Sequence, residues 1–263
     1  MSSSLARVRA FQPPARRAAA ALVWLAAAAS PFLALHQAHA ADMAGFNLTI
    51  AETSNYIFRG ISQSDNHAAL QGSLEFHVPF GLYAGVWAST IDFNDAPTNS
   101  RSEVDYYGGY RVSLGKWSLD FGGMYYAYPD GKSSYRFAEY YGKVAYPVSD
   151  TLSWNGQAIY SPDFFGENSH GTYFQTGLAN QFMDWLSGDA NIGRQSAKDL
   201  DDTANSGFPY NTWNAGVTMT YSKLALDLRY SDASLSKAEC LASAGNAKWC
   251  GAKFMATITL KLP

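Results

Sequence analysis

Between Glu103 and Tyr128 the chain alternates apolar and polar side chains with a period of two. Val104, Tyr106, Gly108, Tyr110, Val112 and Leu114 share one parity; Glu103, Asp105, Tyr107, Gly109, Arg111 and Ser113 share the other. Successive strand side chains leave opposite faces, so this is a strand with one apolar and one polar side. At helical spacing Val104, Tyr107, Gly108 and Arg111 would form one face, with no stripe to bury. The next segment shifts parity, setting Trp117, Leu119, Phe121, Gly123 and Tyr125 against Ser118, Asp120, Gly122, Met124 and Tyr126. A two-residue hairpin loop requires that shift. Leu114 would face Trp117 across Gly115-Lys116, with glycine first as a type II′ turn demands.

The alternation recurs along the chain and predicts twelve strands. The first runs from about Phe46 to Ile61, broken on its apolar face by Glu52 and Ser54, where a bulge or a protein-covered patch is needed. Leu70 to Val78 and Leu82 to Ile91 follow; both faces of the latter are fairly apolar, so the pattern assigns it no facing. Beyond the opening pair come Tyr135 to Tyr146, Thr151 to Tyr160, Thr172 to Phe182, Trp185 to Gln195, Trp213 to Tyr221, Leu224 to Tyr230 and Trp249 to Leu262.

Their connections alternate in length. Short ones fall near Pro79, Gly115, Pro147, Asp184 and Ser222; long polar ones fall near Asp65, Asn94, Asp130, Glu167, Asp201 and Gly245. The fold class that fits is all-β: a single antiparallel up-and-down transmembrane barrel with short periplasmic turns and longer extracellular loops. Ten residues at about 3.3 Å, tilted by roughly 45°, climb about 23 Å, close to an apolar band of about 25 Å. Trp117, Tyr146, Trp185 and Tyr221 at the turn end, and Tyr128, Tyr160, Tyr210, Tyr230 and Trp249 at the loop end, read as interfacial girdles. A secreted β-sandwich would instead carry its polar faces outside.

The first forty residues stand apart. Arg7, Arg9, Arg16 and Arg17 precede an apolar stretch from Ala18 to Leu35, and Ala38-His39-Ala40 is a small-x-small cleavage site. This is the pattern of a secretory signal peptide cut after Ala40, leaving 41–263 as one barrel domain. Four of the 19 basic residues lie in this leader while all 22 acidic ones follow it, so the remainder has 15 against 22, a net charge of −7. That balance argues against a nucleic-acid partner. No later stretch has the roughly 18 consecutive apolar residues of a membrane helix, so a membrane-inserted chain must close into a barrel.

Ser54 to Ser64, SNYIFRGISQS, resembles the TorF family of porins of the proteobacterial outer membrane, as do QGSLEF from Gln71, GLYAGVWAS from Gly81, EVDYYGGY from Glu103, EYYGKV from Glu139 and YSPDFFG from Tyr160. The resemblance implies a barrel delivered by periplasmic chaperones and the barrel-assembly machinery, seated among outer-membrane lipid and lipopolysaccharide, and passing small hydrophilic solutes. It carries over no catalytic or ligand residue and implies no cofactor. Such barrels usually end on an aromatic residue; this sequence ends Thr259-Leu260-Lys261-Leu262-Pro263, which is expected to affect assembly.

If the apolar faces meet lipid, Arg59, Glu75, Glu103, Asp105, Arg111, Asp120, Glu139, Lys143, Asp189, Asp227, Arg229 and Lys253 point inward. These charges would either line a water-filled passage and set its preference for ions and solutes, or pair across a narrow bore and close it. Twelve strands lie between the filled eight-stranded barrel and the open porins, which favours a narrow conduit. Arg59 is the foremost candidate, placed to pair with Glu103 or Asp105 or to meet an anionic solute. Cys240 and Cys250, with nine residues between them in an oxidising compartment, are expected to form a disulfide. Ser169-His170 would serve a barrel hydrolase only if the two side chains met, and Asp199, Asp201 and Asp202 lack the glycine and distal glutamate of a calcium loop. A channel is the favoured reading, with a non-conducting structural or adhesion barrel, and then a phospholipase or protease, as alternatives.

Overall fold

A computed structural model describes residues 44–94, 100–131, 135–167, 169–199 and 209–262. The expected leader at residues 1–40, Asp201 and Asp202 lie outside the described residues.

The strands in chain order are β1 (Gly45–Thr53), β2 (Ile57–Phe58), β3 (Ile61–Ser62), β4 (Ala69–His77), β5 (Leu82–Thr90), β6 (Ser102–Leu114), β7 (Trp117–Ala127), β8 (Phe137–Pro147), β9 (Leu152–Ser161), β10 (Ser169–Met183), β11 (Leu186–Asp199), β12 (Tyr210–Tyr221), β13 (Leu224–Ala233) and β14 (Lys253–Leu262). All but the two-residue strands β2 and β3 form a closed antiparallel barrel of twelve. Each barrel strand pairs with the next along the chain, and β1 closes the ring by lying between β4 and β14, with Leu48 opposite Leu262. The hairpins keep the predicted register: Leu114 faces Trp117, and Tyr221 faces Leu224. Gly115 takes φ 63, the left-handed position that the turn needs, and Ser222 takes φ 56 at the equivalent place.

Polarity is inverted relative to a water-soluble protein. Phe46, Phe121, Phe174, Ile192 and Phe254 are exposed on the outside, while Glu103, Asp105, Asp120 and Glu139 are at most 2% exposed inside. An apolar exterior round a charged interior is the signature of a membrane-spanning barrel and excludes the sandwich, whose core would hold the apolar faces. The strand without an assignable facing, β5, turns Tyr83 and Trp87 inward and Leu82 and Val86 outward.

Three expectations are corrected. The first strand ends at Thr53 rather than near Ile61. Beyond the polar break at Glu52 and Ser54 the chain turns into the barrel, where β2 and β3 pair as a miniature hairpin. Its two-residue loop, Arg59-Gly60, has φ 49 and 82, the doubly left-handed backbone of a type I′ turn. Secondly, Tyr128, Tyr210 and Trp249 are buried and belong to no external girdle; inward parity or loop folding carries them inside. Trp117 and Trp185 do stand exposed at the turn end, Trp117 packing on Tyr146 with ring centroids 4.7 Å apart. Thirdly, the last strand begins at Lys253 rather than Trp249, and the long loop before it contains a short helix, α1 (Lys237–Ala244), opened by a Ser236/Glu239 capping box.

Candidate channel interior

The inward charges assemble into three groups. Nearest the extracellular side, the β2–β3 hairpin delivers Arg59 into the bore. Its Nη2 donates to both Glu139 oxygens at 2.8 and 2.7 Å and its Nη1 to Gln195 Oε1 at 2.8 Å, linking β8 to β11 across the lumen. The guanidinium lies 4.5 Å from the Phe58 ring centroid and 4.6 Å from that of Tyr173, a cation between aromatic faces. Tyr126 donates its hydroxyl to Glu139 at 2.9 Å and Tyr56 to Glu103 at 3.1 Å. Arg59 therefore pairs with Glu139, not with Glu103 or Asp105. Asp105 is fully buried, and neither of its carboxylate oxygens has a hydrogen-bond partner among the described residues.

Toward the periplasm, Arg111 grips Glu75 in a fork at 2.7 and 3.0 Å and reaches Asp120 at 3.5 Å. Its guanidinium stacks 3.6 Å from the Tyr83 ring, whose hydroxyl donates to Asp120 at 2.5 Å and meets that of Tyr141 at 2.6 Å. Lys143 sits 4.4 Å from the Tyr141 ring centroid. On the opposite wall Arg229 holds Asp189 through two nitrogens, at 2.9 and 2.6 Å, and Asp227 through Nε at 3.1 Å, with Asn214 and Thr218 completing the network. Fork-shaped donors matched to carboxylates make these strong, directional contacts. Lys253 lies apart from all three, donating to the carbonyls of Lys248 and Cys250 in the last loop.

Between the charges runs an aromatic cluster that includes Tyr56, Phe58, Trp87, Tyr126, Tyr128, Phe137 and Tyr173. It fills the extracellular part of the bore on the β5–β10 side. Tyrosines 56, 83, 126, 141 and 173 and Gln195 were not singled out beforehand. All but Tyr56 lie on the inward parity of their strands, the signal that would have found them wherever a facing could be assigned.

The outer latch of the inserted segment is the α1 loop, closed by the Cys240–Cys250 disulfide. Trp249 donates its indole N–H to Asp65 at 2.6 Å, Ser62 N–H reaches the Trp249 carbonyl at 3.0 Å, and Asn66 reaches the Lys248 carbonyl at 3.3 Å.

The hydrolase candidates do not converge. Ser169 is buried on the inner face of β10, whereas His170 points outward, its Nδ1 2.9 Å from the Tyr160 hydroxyl. Adjacent strand residues leave opposite faces, so these two form no nucleophile–base pair. Among the described residues no group of three or more His, Cys, Asp or Glu is arranged to hold a metal ion.

The barrel is similar in fold to solved outer-membrane proteins. A structure of the KdgM porin superposes with TM-score 0.55 at 8% identity, covering 82% of this chain and 99% of that one. A second, of KdgM porin in complex with disordered oligogalacturonate, gives 0.52 at 9%, covering 83% and 100%. The sequence profile described as "Bacterial protein of unknown function (Gcw_chp)" matches residues 37–261. No curated protein matches the sequence.

Proposed function

Because this chain belongs to the Gcw_chp family and shares its fold with a porin, we propose that it is a porin-like channel of the bacterial outer membrane for small hydrophilic solutes or ions. The observation that carries the reading is the inversion of polarity: a closed barrel with an apolar outside and ionic side chains inside has a wall for lipid and a lining for water. The resemblance to TorF porins belongs to the same proposal. Its leading motif, SNYIFRGISQS, is the segment that enters the lumen.

The inserted hairpin narrows the passage, and the lining charges largely neutralise one another in Arg59–Glu139, Arg111–Glu75–Asp120 and Arg229–Asp189–Asp227. Among the twelve candidates, seven carboxylates face five cations, so the residual bias is anionic. Selectivity is accordingly weak and toward cations, with uncharged polar solutes passing freely. An oligogalacturonate, with a carboxylate on each sugar, is not carried over as a cargo. Export with cleavage after Ala40, handling by periplasmic chaperones and insertion by the barrel-assembly machinery complete the proposal.

The test is single-channel recording of refolded residues 41–263 in a planar bilayer. Discrete steps with a small cation-positive reversal potential are expected. Silence from protein shown to be folded by heat-modifiable gel mobility would overturn the channel and favour a sealed structural barrel.

A further inference from the structure

On the outer wall, strands β8 to β12 enclose an apolar groove of about 750 Å³. Its floor exists because Gly142, Gly156 and Ala158 present little or no side chain to the membrane, while Trp154, Phe174 and Trp213 also line it. Arg194 lines the groove too. It lies on the outward parity of β11, exposed, with its Nη1 fixed 3.0 Å from Asn211 Oδ1. Among the described residues it is the only arginine on the outward parity of a barrel strand.

Its height is informative. Arg194 stands eight residues along β11 from Leu186, which begins the strand at a periplasmic turn. At about 3.3 Å per residue and a tilt of roughly 40°, its Cα lies about 20 Å above that turn, against an apolar band of about 25 Å. A guanidinium on a three-carbon stem covers the remaining distance by snorkelling, so the charge reaches the headgroups of the outer leaflet. The acid nearest in register, Asp232 opposite Trp213, is already engaged: its oxygens accept from the Tyr230 hydroxyl at 2.9 Å and the Ala233 N–H at 2.8 Å. An apolar trough ending in one anchored cation complements a ligand with several acyl chains and a phosphate at their head.

We propose that this groove binds one phosphorylated, multiply acylated glycolipid of the outer leaflet, a lipopolysaccharide, its chains along Gly142, Gly156 and Ala158 and its phosphate on Arg194. The site rests on outer-membrane placement and is independent of conduction, so a silent bilayer recording leaves it standing.

Native mass spectrometry tests it on the full mature barrel in detergent, offered equal amounts of a defined rough lipopolysaccharide and phosphatidylglycerol. The wild type should retain one lipopolysaccharide per barrel. R194Q should lower that occupancy about tenfold, the scale of a lost charge-assisted contact. Gly142→Leu should fill the trough and lower occupancy as well; a Cβ there meets only Phe121, at 3.6 Å, so the variant is expected to fold, which gel mobility checks. Equal lipopolysaccharide retention by folded wild type and R194Q would overturn the proposal, as would phosphatidylglycerol taking its place.

Discussion

Arg59 combines a left-handed backbone with a buried charge. A non-glycine residue at φ 49 costs about 1–2 kcal/mol, and the guanidinium, 5% exposed, has left water for Glu139, Gln195 and two aromatic faces. Removing one partner of a buried pair strands the other, at a cost of about 3–5 kcal/mol. For R59A the inserted hairpin is the element free to yield, so we expect larger single-channel conductance and faster proteolysis within 54–68, with the barrel strands unchanged. R59K should behave almost as badly, because an ammonium cannot reach Glu139 and Gln195 together as the fork does. Unaltered conductance and proteolysis in both variants would show that the pair is incidental. Gly60 supplies an independent check. A Cβ there would stand 2.8 Å from Ala233 Cβ on a backbone at φ 82, so G60A should displace the hairpin while every charge remains in place.

The hairpin and the α1 loop act as key and strap. If the disulfide holds Trp249 against Asp65, then reduction, or replacing both cysteines by serine, should accelerate hydrogen exchange at residues 54–66 while β6 to β9 keep their protection. The cross-link itself stabilises its loop by roughly 2–3 kcal/mol in the chain-entropy model. Unchanged exchange in the reduced protein would separate the two elements. The capping box adds a pH dependence. Hydrogen bonds from Ser236, chiefly the side-chain contact and then the backbone one, hold the Glu239 carboxyl below its ordinary value of 4.5. A depressed folded value means that the stabilisation is complete above the ordinary range and is lost as pH falls through the lower one. Protection of the 237–244 amides, taken relative to their intrinsic exchange at each pH, should therefore fall as the pH drops below the ordinary carboxylate range, and E239Q should flatten that response. Strands, turns and the disulfide were legible in advance, since a two-residue period with lipid outside leaves each side chain only one permissible face. The inserted segment was legible only as a break: Glu52 and Ser54 interrupt the apolar face, but Tyr56 and Phe58 resume the parity of Ile50, so the pattern does not distinguish a bulge in the wall from a segment that has left it. Ser236-x-x-Glu239 was a readable helix start. Arg59 was legible as a candidate but its partner was not, because Glu139 lies 80 residues away and parity fixes a face without fixing a height.

For the molecule as a whole, the proposed channel would carry only a weak field, because its charges pair within three internal networks, and removing the central cation of one network should change that. Arg229 neutralises both Asp189 and Asp227, and all three are at most 19% exposed at their side chains. In R229Q two carboxylates face the lumen without a counter-charge, where low-dielectric walls focus their potential along the axis. We expect the reversal potential in a potassium chloride gradient to move toward the cation limit, with a permeability ratio that rises several-fold over a wild-type value near unity. Ionic strength distinguishes this from a change of shape. With a screening length of about 10 Å at 0.1 M and about 3 Å at 1 M, an electrostatic origin requires the difference between variant and wild type to be large in dilute salt and nearly gone in concentrated salt. A difference that persists at about 1 M would mean that the substitution had remodelled the bore. No difference at either concentration would place the ions' route away from the β11–β13 wall, leaving the side of β4 and β6, where Arg111 holds Glu75, as the path to examine.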